Sequence, residues 1–84
     1  PRYEKEISDK WIVVSFDIPE KERRKRDWLR LVLRNLGLTM IHKSVWIGKV
    51  KISHGLLENM RSLRILSFVE IFEISKSGSL RHIT

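Results

Sequence analysis

Eighty-four residues are enough for one small domain and too few for two. With 42% hydrophobic and 32% charged residues the chain has the composition of a globular domain and not of a disordered segment. The absence of cysteine excludes disulfide staples and thiolate metal sites, and fits a reducing, cytoplasmic setting.

The formal net charge of +7 favours polyanionic partners, DNA or RNA, ahead of an anionic membrane surface. No apolar run approaches the roughly 20 residues of a membrane span. The first ten residues, PRYEKEISDK, are charged throughout and unlike a signal peptide; they read as a solvated lead-in. The first residue is not methionine, as expected of a processed chain or of a domain taken from a longer protein.

Trp11 to Ile18 reads as a central strand. Ile12, Val14, Phe16 and Ile18 alternate with Trp11, Val13, Ser15 and Asp17. The first set is wholly apolar and belongs to the core, whereas the second turns polar towards Asp17. Pro19 ends the strand and suits the first turn of a helix, where Glu20 and Glu22 complement the helix dipole. That helix is expected over 20–36. Leu29, Val32, Leu33 and Leu36 form its buried stripe, Trp28 lies at the margin, and Gly37 follows the last turn. Arg23, Arg26, Arg30 and Arg34 recur on another face.

Leu38 to Val50 is rich in branched and aromatic residues and reads as a hairpin turning near His42–Ser44; one bent strand with a bulge at Gly48 is the alternative. Ser53 is placed to cap a second helix over 54–64, buried through Leu56, Leu57, Met60 and Leu63. Residues 68–74 form a last strand, and 76–84 a turn with a basic tail. The order βαββαβ implies an α+β, ferredoxin-like fold, with a four-stranded antiparallel sheet and two helices on one face. The other sheet face is left uncovered, and a homodimer is a natural way to bury it.

Asp17 is the first candidate for chemistry. A carboxylate at a strand end can ligate Mg²⁺, although one per chain is a poor site and two across a dimer a better one. It can equally cap the first helix or pair with Arg23 or Arg24. The arginine stripe suits a phosphate backbone and also suits plain solvation. Trp46 belongs to the core, an interface or a stacking platform. His42, His54 and His82 lack metal-site spacing.

The segments VVSFDIPEKERRKRDWLR, LG and KSVWIG, in this order and spacing, resemble the CRISPR-associated Cas-two family. They are also similar to the Cas-two-like central domain of PaaX-type transcriptional repressors. The resemblance spans about residues 10–75. It implies a ferredoxin-like homodimer joined through the sheet face; in such a dimer we expect the tail at 76–84 to add a strand to the partner's sheet. In the CRISPR branch it implies a nucleic-acid-associated part of the spacer-acquisition complex, beside an integrase partner, with Mg²⁺-dependent nuclease activity in some members. Asp17 matches the family's metal-binding, catalytic aspartate, so that Mg²⁺ would be shared across the dimer. Ser44, Val45 and Trp46 match its Ser-Val-aromatic segment, and Arg23 and Arg24 its basic helix start.

The candidate nucleic-acid contacts are therefore Arg23, Arg24, Arg26, Arg30 and Ser44. Ile-Pro-Glu after Asp17, and Trp46 where phenylalanine is usual, are closer to the repressor branch. There the domain dimerises, Asp17 need not bind metal, and a separate winged helix reads the DNA.

Overall fold

A computed structural model describes residues 3–84. The strands are β1 (Ile7–Phe16), β2 (Thr39–His42), β3 (Val45–Val50), β4 (Val69–Ile74) and β5 (Leu80–His82). The helices are α1 (Arg23–Asn35) and α2 (His54–Ser62), with 3₁₀ turns at Glu20–Glu22 and Leu66–Phe68. The strands form one antiparallel sheet in the order β2-β3-β1-β4-β5. The fold is α+β and ferredoxin-like, with the two helices flanking the sheet.

Alternation in β1 does what the sequence implies. Ile12, Val14 and Phe16 are buried, and Trp11, Val13 and Ser15 face the other way. Three differences concern boundaries. β1 starts at Ile7, four residues before its apolar run, because the lead-in still pairs at Ile7↔Val50 before the register shifts. Pro19 holds an extended ψ of 149°, so the first helical turn is a 3₁₀ turn closed by the Glu22 N–H donating to the Pro19 carbonyl, and α1 begins only at Arg23. The tail is a fifth strand, β5, which lies beside β4 of the same chain through Phe72↔His82 and Ile74↔Leu80.

The hairpin of β2 and β3 turns at Lys43–Ser44, with His42 opposite Val45. A register irregularity falls between Met40 and His42, in β2 and not at Gly48. Gly48 serves close packing instead: a Cβ there would stand 3.1 Å from Leu38 Cα, where the chain leaving α1 crosses.

The core is one cluster between the helices and the inner sheet face. Leu29 and Leu33 of α1, Leu56 and Met60 of α2, and Val14, Trp46 and Ile71 of the sheet are all essentially inaccessible. Each such side chain contributes about 1.5–3 kcal/mol relative to exposure.

Both helix ends are closed by the same backbone pattern. After α1, Gly37 takes φ +94°, its N–H donates to the Arg34 carbonyl, and Leu38 donates to Leu33. After α2, Arg64 occupies the same position at φ +62°, with Arg64 donating to Arg61 and Ile65 to Met60. A side chain in this left-handed conformation is strained. Arg64→Gly is expected to raise stability by about 0.5–1 kcal/mol, measured as a higher urea midpoint at unchanged slope. At its other end α2 is capped by Ser53, whose Oγ accepts the Leu56 N–H at 3.1 Å.

Candidate functional site

β1 carries Asp17 just past its last residue. The backbone there is held on both sides: Phe16 donates to the Ser44 carbonyl at 3.0 Å and Asp17 to the Phe68 carbonyl at 2.9 Å. Asp17 thus lies between the β2–β3 turn and the segment that leads into β4. Its side chain is exposed and makes no hydrogen bond or ion pair among the described residues. Neither of the local roles open to it, capping α1 or pairing with Arg23 or Arg24, is formed: the residue preceding α1 is Glu22, and Arg23 pairs with Glu20.

The arginines divide. Arg23 and Arg26 share the Glu20 carboxylate at 3.4 and 3.0 Å. Arg23 is open to solvent, whereas Arg26 is largely covered and its Nε is buried with no partner among the described residues. Arg30 lies down on the sheet end. Its Nε donates to the Lys43 carbonyl at 3.0 Å, and its guanidinium stands 5.8 Å over the Phe16 ring. The Lys43 carbonyl also accepts from Trp46 Nε1 at 3.2 Å. Arg34 covers the Trp46 ring at 5.7 Å.

Arg30 and Arg34 thereby tie α1 to the hairpin. Arg30 and Ser44 are brought to the Asp17 end of the sheet, and Arg24 is not: it points into the space between the helices. Trp46 is buried, so it is no stacking platform in this chain. The doubly used Lys43 carbonyl had no signal in the sequence, since a main-chain acceptor in a turn is silent about its partners. Glu20 three residues before Arg23 was a legible pair.

The other feature is the sheet face turned away from the helices. Residues directly opposite each other share a face, so the register writes out its rows. Leu80, Ile74 and Trp11 form the first. His82, Phe72, Val13, Ile47 and Thr39 form the second, across all five strands. Glu70, Ser15, Val45 and His42 form the third. The surface passes from apolar to polar towards the Asp17 end. Trp11 is 43% exposed and Leu80 60%, with Lys49 Nζ 5.0 Å over the Trp11 ring and His82 stacked on Phe72 at 4.6 Å between centroids.

Among the described residues no group of three or more His, Asp or Glu is placed to hold a metal ion. The donors of one chain are too few for Mg²⁺, because Asp17 supplies a single carboxylate and no second acidic side chain among the described residues joins it in a metal-holding group. No helix among the described residues is long and apolar enough to cross a membrane.

Comparison with known proteins gives one match. No curated protein and no solved structure matches the chain. The family model described as the PaaX protein central Cas2-like domain matches residues 4–82, which takes in every strand and helix above and both Asp17 and the Ser44–Trp46 segment. The chain belongs to the family of PaaX central Cas2-like domains.

Proposed function

We propose that this chain is the dimerising domain of a PaaX-type transcriptional regulator and is not catalytic. The observation that carries the reading is the uncovered sheet face, whose two apolar rows centre on Trp11, Val13, Ile47, Phe72 and Ile74. A contiguous apolar surface of this kind on a small basic domain calls for a partner. A two-fold interface pairs one patch with itself, so a second copy would offer the same apolar rows to cover this face. The family match supports the regulator branch, as do Ile18-Pro19-Glu20 and Trp46. Under this reading base-specific recognition belongs to another part of the full-length protein, and the domain's positive charge adds affinity for the phosphate backbone without selecting sequence.

Sedimentation equilibrium tests the reading. The 10.0 kDa chain is expected to sediment at twice that mass in the micromolar range, and a monomer up to millimolar concentration would remove its basis.

A second reading rests on Asp17, whose exposed carboxylate makes no ion pair among the described residues. Two copies paired through the sheet face would bring two such carboxylates towards a shared axis, where they could hold Mg²⁺ for a nuclease, with an integrase partner as in spacer acquisition. The two readings part on cleavage of labelled single- and double-stranded DNA and RNA, with Mg²⁺ or EDTA, beside Asp17→Ala. We expect no cleavage by either protein, and a stability change below about 0.5 kcal/mol on substitution of this exposed residue. Cleavage that requires both Mg²⁺ and Asp17 would replace the regulator reading with the enzymatic one.

A further inference from the structure

The helical side of the molecule carries a groove that neither reading uses. It runs between the start of α1 and the end of α2, with a volume of about 360 Å³, and is lined by Arg24, Lys25, Trp28, Asn59, Ser62 and Leu63. Residues 24, 25 and 28 are one turn of α1; residues 59 and 62 belong to the last turn of α2, and Leu63 closes it. The lining surface is overwhelmingly apolar, given by the half-buried Trp28 and Leu63 and by the stems of the two basic residues.

The two cations differ. The Lys25 ammonium donates to the Leu63 carbonyl at 2.8 Å and pairs with Glu22 at 2.9 Å, so it is spent on joining the helices. Arg24 is exposed on the rim and makes no ion pair or hydrogen bond among the described residues.

We infer that this groove docks an acidic amphipathic segment of a partner protein, with a large apolar side chain on Trp28 and Leu63 and a carboxylate on Arg24. The chemistry selects this occupant. A polyphosphate backbone needs several donors aimed at it, and here only Arg24 and Ser62 are at hand around an apolar floor, since Lys25 is engaged and the Asn59 amide donates to the Tyr3 hydroxyl. An apolar anchor flanked by negative charge matches both the floor and the rim. The volume suits one or two large side chains, and the two helices offer the grooved surface that a third helix packs against. The groove lies on the helix side, away from the sheet face proposed for dimerisation, so its occupancy does not depend on that proposal.

Selection of a random 16-residue peptide library displayed on phage, against the domain as it stands, tests this. The expected result is enrichment of sequences with Asp or Glu around Leu, Phe or Trp. The best synthetic peptide is expected to lose about tenfold in affinity with Arg24→Glu and about thirtyfold with Trp28→Ser. Arg24 is exposed, so its charge reversal leaves the fold intact and remains informative if the Trp28 variant is poorly folded. Selection of no sequence, selection of basic sequences, or binding indifferent to Arg24→Glu would overturn the proposal. So would displacement of the selected peptide by single-stranded DNA, which would assign the groove to nucleic acid.

Discussion

Replacing Trp46 by alanine is expected to cost about 3–5 kcal/mol and to lower the melting temperature by roughly 15–30 °C in a domain of this size. The indole is 1% exposed and lies on the inner sheet face opposite Val14. It also supplies one of the two hydrogen bonds to the Lys43 carbonyl and the ring beneath the Arg34 guanidinium. Truncation therefore opens a cavity at the centre of the sheet and loosens the tie between α1 and the β2–β3 turn. Against a typical total of about 5–15 kcal/mol this is enough to leave a substantial unfolded fraction at 37 °C.

Trp46→Phe keeps most of the volume and gives up the indole hydrogen bond. It is expected to cost only about 1–1.5 kcal/mol. Thermal denaturation followed by circular dichroism checks both. Equal losses for the two variants would mean that the Lys43 hydrogen bond, and not packing, dominates at this position.

The second large effect concerns assembly. Trp11→Glu combined with Phe72→Glu places two carboxylates in adjacent apolar rows of the open face, at positions that alternate with the core and do not enter it. Aromatic anchors at interface centres are each worth about 2 kcal/mol or more, and a buried unpaired carboxylate costs further. The dissociation constant of the proposed dimer is expected to rise at least about a hundredfold, while the far-ultraviolet dichroism stays that of the parent. Sedimentation at several protein concentrations measures it. A double variant that dimerises as tightly as the parent would move the contact off this face. Because each chain carries +7, the proposed dimer is also expected to tighten as salt rises.

Much of this fold was legible because its signals are local. The alternation from Trp11 to Asp17, the apolar spacing at Leu29, Val32 and Leu33, Gly37 after α1 and Ser53 before α2 each have a short-range cause and each stands where expected. The four residues before Trp11 read as solvated because three of them, Ser8, Asp9 and Lys10, are polar and follow a charged lead-in. The stretch joins β1 through the backbone pairing of Ile7 with Val50, which leaves no trace in side-chain pattern.

The arginine stripe shows the opposite problem. Spacing put Arg23, Arg26, Arg30 and Arg34 on one face, and the acidic partners Glu20 and Asp27 lie close by in sequence, but the Lys43 carbonyl and the rings of Phe16 and Trp46 that hold Arg30 and Arg34 come from elements distant in sequence. Only Arg24, off the stripe, keeps an unengaged guanidinium over an apolar groove among the described residues. Asp17 was located by the strand that carries it. What it would ligate was not, since a carboxylate shared between copies has no pattern within one chain.

The central position of β1 makes the domain far more sensitive to a change in chain length than to most changes of residue. Hydrogen-bonded on both edges, β1 cannot slide between β3 and β4, and its two faces serve different neighbours. One inserted residue between Ile12 and Phe16 would present Val13 and Ser15 to the helices and turn half the core outward, inverting both surfaces in a single genetic event. The irregular stretch between Ile7 and Ile12 is where such a length change can be absorbed, because the four residues from Ser8 to Trp11 already oppose the single Lys49 on β3. Natural variants of this domain should accordingly differ in length before Trp11 and hold a constant count from Ile12 to Asp17.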